Sequence, residues 1–124
     1  MAGFHEILGG LVVVAFIVTA ILAAIAAAGR DDRWVRTVSF IAAGLLALQY
    51  VVGVVLLAGG SRNDNAHYLI ALLVIVPVAL EHSSARRLSP QTRGVALMIW
   101  SLAAAFLAVI AYLAGTWGVA GAAT

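Results

Sequence analysis

Residues 7–28, ILGGLVVVAFIVTAILAAIAAA, run for 22 positions without a charged side chain. A helix rises about 1.5 Å per residue, so such a run covers the roughly 30 Å of hydrocarbon in a bilayer. Three more apolar runs follow, at residues 38–58, 66 to about 85, and 94 to about 119, separated by short polar connections. Lipid offers no hydrogen bonds to backbone, so each run has to satisfy its own amides and carbonyls, as a helix does. The strands of a barrel would alternate apolar and polar residues over about ten positions. These runs are continuously apolar and rich in Ala and Leu. The expectation is an all-α integral membrane protein: a single transmembrane domain, residues 1–124, folded as a four-helix up-down-up-down bundle.

Composition points the same way. Hydrophobic residues make up 65% of the chain and charged residues 10%, too little polar cover for a soluble domain of this size. All seven basic residues are Arg, and six fall in two connections: Arg30, Arg33 and Arg36 in residues 29–37, and Arg86, Arg87 and Arg93 in residues 83–93. Basic loops stay in the cytoplasm, so these two are expected inside. The connection 59–65, with Arg62 alone, is expected outside together with both termini, in a multi-pass protein of the plasma membrane. The net charge of +2 is thus topological, and no basic face is present to bind nucleic acid. Residues 24–29 offer small side chains like those at a signal cleavage site, but the basic segment that a signal needs is missing, so the first run is expected to remain. Cysteine is absent, which excludes disulfides, thiolate ligands and iron–sulfur clusters.

With an offset of 62, the second half of the chain lies on the first with His5 on His67, Tyr50 on Tyr112, Gly53 on Gly115 and Gly59 on Gly121. Aliphatic matches, such as Leu11 on Leu73 and Val12 and Val14 on Val74 and Val76, mean little in such a sequence. Coincident His, Tyr and Gly are harder to obtain by chance. The pattern reads as two duplicated helical hairpins, about residues 1–62 and 63–124, related by an axis along the membrane normal. Asn63, Asp64 and Asn65 suit the cap of the third helix, and Ser89 followed by Pro90 suits the start of the fourth. Pro77 is expected to kink the third helix as a packing feature. Gly9, Gly10, Gly44 and Gly53 allow helices to approach closely.

The duplication sets His5 and His67 at the starts of the first and third helices, which run in the same direction, so the two imidazoles share a depth near the outer face. These helices lie diagonally across a four-helix core, where two histidines can address one object on the axis. A haem fits, because its iron takes two trans imidazoles and its macrocycle is apolar. Gly9 and Ala71, one turn further along, are small enough to lie against a porphyrin face, and Arg62 stands where propionates would emerge. Gln49, an amide inside the second span, serves either a helix–helix hydrogen bond or a contact to an axial imidazole or the porphyrin edge. The plainer reading of the histidines is interfacial, each a polar tip that reaches water from a helix start. A metal ion held by His5, His67 and Glu6 is weaker, since Glu6 points about 100° away from His5 around the helix. His82 lies roughly 22 Å beyond His67 along a helix, where only Met98 would partner a second haem. Glu81 and His82 are expected to form a solvated polar helix end, with a quinone site or proton path as the minor alternative. Tyr50, Tyr68, Tyr112, Trp100 and Trp117 read mostly as an interfacial aromatic belt.

The segment Leu48-Gln49-Tyr50-Val51-Val52-Gly53, followed after a short connection by His67 on a Leu/Ala-rich helix, resembles the haem A synthase family. The likeness covers about residues 5–85. It implies one four-helix half of a duplicated fold, an outer pair of histidine ligands to haem, here His5 and His67, and an LQxxxG-like segment before a ligand-bearing helix. Its departures imply limits. About half of such an enzyme would supply a single haem site, and the family's extracellular cysteine pair is missing. The family's glutamate one turn before a catalytic-half histidine has no counterpart, the positions four before His5 and His67 being Met1 and Asn63. Oxidation of a haem methyl group is therefore not expected.

Residues and resemblance together lead to the expectation of a membrane protein that binds one haem b per chain and serves electron transfer or haem handling, with catalysis elsewhere. Its partners would be the lipid bilayer and either a second copy of the chain or a larger respiratory membrane complex. Three rivals stand beside it. A cofactor-free accessory or assembly subunit is equally suited by the small size and the Gly/Ala-rich helices. A small transporter is disfavoured because no charged residue is read as lying deep in a span. A haem-modifying oxidoreductase is the enzymatic alternative.

Overall fold

The computed structural model describes residues 2–29, 33–63, 65–84 and 88–121. Asp64 of the expected cap, Arg30, Arg86 and Arg87 of the basic connections, and the side chain of Trp117 lie outside the described residues. Every described element is helical: α1 (Ala2–Ala27), α2 (Arg33–Ala58), α3 (Asn65–Leu73), α4 (Ile75–Ser84) and α5 (Pro90–Gly121). Taken as one span, α3 and α4 make four helices with α1, α2 and α5, and each of the four is long and apolar enough to cross a membrane. The helices outrun the apolar stretches that predict them. Because α1 begins at Ala2, His5 sits a turn inside the helix and not at its opening.

The helix ends have local causes. After α2, Gly60 adopts a φ of +91°, a conformation that a Cβ would strain. Its N–H bonds to the Leu57 carbonyl at 3.1 Å and the Ser61 N–H to the Leu56 carbonyl at 3.0 Å, the two bonds of a Schellman ending. At the start of α5, Ser89 Oγ accepts the Thr92 N–H at 3.4 Å, and Pro90 at the first helical position gives up no bond. The third span breaks at Val74, three residues before Pro77. Pro77 has no N–H for the Leu73 carbonyl, and its ring crowds that turn. The ladder tightens there, with the Val74 N–H bonded to the Ala71 carbonyl at 3.1 Å in 3₁₀ spacing.

Packing centres on α1 and α5, with α2 against α1 and both parts of the third span against α5. On α1 the buried residues Leu8, Val12, Phe16, Ala20 and Ala23 recur at three- and four-residue spacing, while α5 contributes Ser101, Ala104, Ala105, Ala108 and Ala111. Small side chains on α5 let the helices approach, as packing within lipid requires. A Cβ on Gly94 would lie only 2.6 Å from the Ala27 backbone nitrogen. Outward faces carry exposed Ile7, Leu11, Val54, Leu69, Ile99 and Phe106, an apolar exterior that suits lipid and not water. Between α2 and the third span the contact is chiefly through side chains: Tyr50 to Ala71, Ser39 to Glu81, and Phe40 to His82.

Candidate functional site

His5 on α1 and His67 on α3 come together at one end of the bundle, with ring centroids 6.3 Å apart and ring planes inclined by 70°. Each imidazole has one nitrogen engaged. His67 Nδ1 lies 2.8 Å from the Ala111 carbonyl of α5. A carbonyl only accepts, so Nδ1 carries the proton and Nε2 of the neutral ring keeps its lone pair. His5 Nε2 lies 3.3 Å from the Gln49 amide of α2. His5 Nδ1 and Gln49 Oε1 are buried with no hydrogen-bond partner among the described residues. Buried polar atoms are rarely left so, and two of them at one place single out this end of the bundle.

Glycine makes the space beside both rings. A Cβ on Gly53 would meet His5 Cε1 at 3.3 Å, and one on Gly115 would meet His67 Nδ1 at 3.0 Å. His5 thus touches positions 49 and 53 of α2, and His67 touches positions 111 and 115 of α5. An offset of 62 carries one set of positions onto the other. The tyrosines obey the same rule. The Tyr50 hydroxyl donates to the Ala71 carbonyl, and the Tyr112 ring lies against Gly9, each tyrosine crossing to the other half of the chain. Tyr50 is accordingly a bond inside the bundle and not part of an interfacial belt.

The other expected residues are placed less centrally. Gly9 lies against Gln49, whose Nε2 would be 3.1 Å from a Cβ there, and Ala71 takes part through its carbonyl. Arg62 is exposed, and its Nη1 donates to Leu57 and Ser61 carbonyls of its own turn at 3.0 and 3.2 Å. Exposed Glu6 accepts the Tyr112 hydroxyl at 3.4 Å. No group of three His, Cys, Asp or Glu able to hold a metal ion occurs among the described residues.

Glu81 overturns an expectation. It is 1% exposed, not part of a solvated helix end. Ser39 Oγ from α2 donates to its Oε1, and Ser101 Oγ from α5 donates to Oε2 at 3.0 Å. The side chain turns inward between helices, where two hydroxyls stand in for the water that lipid excludes. A carboxyl group is therefore buried between helices, near the end of the third span. Its signal was present in the sequence, because the offset of 62 relates Ser39 to Ser101 and Thr19 to Glu81. Thr19 is fully buried too, with its hydroxyl bonded to the Ala15 carbonyl at 2.8 Å.

His82, half-buried beside Glu81 in sequence, points elsewhere. Its Nδ1 lies 2.9 Å from the Val78 carbonyl, its Nε2 is buried without a partner among the described residues, and its ring stands edge-on to Phe40 at 5.0 Å. Met98 packs against Ala23, Ala26 and Val35. No family model, no curated protein and no solved structure matches this chain, so the chemistry of these sites rests on their geometry.

Proposed function

We propose that the chain is a membrane-embedded haem protein, which binds one haem b between His5 and His67 and serves electron transfer or haem handling. The observation that carries this reading is the separation of the two rings. Two imidazoles that hold one metal ion between them, at metal–nitrogen distances of about 2.0–2.1 Å, have ring centres roughly 6 Å apart. The rings of His5 and His67 are 6.3 Å apart. The Nδ1 bond of His67 to Ala111 is the kind of support that fixes a ligand imidazole and raises its basicity. The Gln49 amide N–H donates to His5 Nε2, the nitrogen whose lone pair a metal would take in its place, and Gly53 and Gly115 leave both rings free of side-chain crowding. Haem would supply one-electron chemistry there, while the protein positions and tunes it.

In this reading the helices alternate up-down-up-down as two duplicated hairpins, akin to one half of a haem A synthase. The histidine end faces outward with the connection 59–65 and both termini, and the arginine-bearing connections face the cytoplasm. A second copy of the chain or a larger respiratory complex would be the partner.

The test is a reduced-minus-oxidised visible spectrum with a pyridine haemochrome assay on detergent-purified protein. About one low-spin haem b per chain is expected, lost or converted to high spin in His5→Ala and in His67→Ala. A colourless protein, expressed where haem is plentiful, would discard the reading in favour of a cofactor-free accessory subunit.

A further inference from the structure

One face of α2 joins a charge to an apolar trough. Residues 36, 40, 43, 47 and 50 recur at four- and three-residue spacing, so Arg36, Phe40, Ala43, Ala47 and Tyr50 share that face. All but Arg36 line a groove of about 380 Å³, whose other wall includes Ile75 and Ala79. From Phe40 to Tyr50 the groove follows α2 for about 15 Å. Phe40 and Ile75 are 51% and 46% exposed, so it opens sideways, where lipid would lie.

Polarity is confined to one end. The Tyr50 hydroxyl, at the far end, is spent on the Ala71 carbonyl. His82 Nδ1 is bonded to the Val78 carbonyl and its Nε2 is buried, so neither nitrogen is offered to an occupant. At the near end Arg36 is exposed, with Cζ 5.7 Å from the centre of the Phe40 ring. Among the described residues no carboxylate is bonded to it. Arg33, one turn earlier, follows Asp31 and Asp32 in sequence, so Arg36 carries the assignment. It just precedes the apolar run that begins at Val38, which sets its charge at the level of lipid phosphates.

We infer that Arg36 and the groove form a site for one anionic phospholipid, its phosphate on the guanidinium and one acyl chain between α2 and α4. A headgroup that brings its own cation would set that cation against Arg36, whereas a net negative one meets no such repulsion. The inference does not rest on haem binding, since His5 and His67 are not among the residues that line the groove.

The experiment is native mass spectrometry of the full chain released from detergent, with phosphatidylglycerol and phosphatidylcholine of the same acyl chains added at equal concentration. One phosphatidylglycerol per chain should be retained, about fivefold tighter than phosphatidylcholine. Arg36→Gln should bring the two lipids to parity, while Arg93→Gln, which removes a charge from the start of α5, should leave the preference in place. Ala79→Phe, which fills the groove, should cost the first bound molecule of either lipid, and glycerol 3-phosphate, a headgroup without a chain, should not bind. Parity of the two lipids on the unmutated chain, a preference that survives Arg36→Gln, an equal loss in Arg93→Gln, or an unchanged adduct in Ala79→Phe would each overturn the inference. If Ala79→Phe does not fold, glycerol 3-phosphate decides, since its binding as tightly as phosphatidylglycerol would leave the groove no part.

Discussion

Replacing Gly115 with alanine adds a methyl group where His67 leaves least room. A Cβ there would lie 3.0 Å from His67 Nδ1, 3.2 Å from Cε1 and 3.4 Å from Asn63 Nδ2, so the ring has to shift. It is not free to do so, because Nδ1 is bonded to the Ala111 carbonyl at 2.8 Å. Breaking that bond while the donor stays buried costs about 1–3 kcal/mol. Alanine in place of a helical glycine returns up to about 1 kcal/mol. The net expectation is a stability loss of about 1 kcal/mol. If the chain binds haem as proposed, its affinity should fall further, by about 10- to 100-fold, because ligation by an imidazole depends on the orientation that its second bond fixes. Gly53→Ala is the internal comparison: its Cβ would lie 3.3 Å from His5 Cε1, and the Gln49 contact at 3.3 Å grips that ring less firmly. Titration of haem into detergent-solubilised apoprotein, followed at the Soret band, gives the affinities, and thermal unfolding followed by circular dichroism gives the stabilities. Wild-type affinity in Gly115→Ala, or a larger loss in Gly53→Ala, would refute the reasoning.

Three further experiments probe the frame. Glu81→Ala strands two buried hydroxyls and leaves a void, so it should cost about 2–4 kcal/mol in thermal unfolding, against about 1 kcal/mol for Ser39→Ala or Ser101→Ala. Pro77→Ala restores an N–H for the Leu73 carbonyl and lets a regular bond from the Ile75 N–H replace those that the Ala71 carbonyl accepts from the Val74 N–H and the Tyr50 hydroxyl. Tyr50→Phe should then cost about 1 kcal/mol less in that background, as a double-mutant cycle would show. Gly94→Ala places a Cβ 2.6 Å from the Ala27 nitrogen, and since backbone cannot yield as a side chain does, a loss of about 1–3 kcal/mol is expected in the same unfolding assay.

The helices were legible because charge is so unevenly placed: the run from Ile7 onward has no alternative to a helix in lipid. The pairing of His5 with His67 was legible only through the offset of 62, since nothing local to either residue points to the other. Glu81 was misread because its neighbours in sequence, His82, Arg86 and Arg87, suggest a wet helix end. Depth along a chain does not say which way a side chain turns. What draws the carboxyl inward is a pair of hydroxyls 42 residues before and 20 residues after it, and serine carries no weight in a reading based on hydropathy. The break at Val74 is displaced from Pro77 because a proline disturbs the turn that precedes it, not its own position.

Because α1 packs mainly on α5, the first helix made waits for the last. At roughly 5–20 residues per second, the residues between Ala27 and Pro90 delay their meeting by about 3–12 seconds of synthesis. Through that interval Leu8, Val12 and Phe16 face lipid or the insertion machinery, and Glu81, once made, has Ser39 but not yet Ser101. A chain that stops short of α5 would keep a carboxyl oxygen without the Ser101 hydroxyl, which is costly where lipid excludes water. Completion of the last helix is thus the step that covers the face of α1 and gives the Glu81 carboxyl its second hydroxyl.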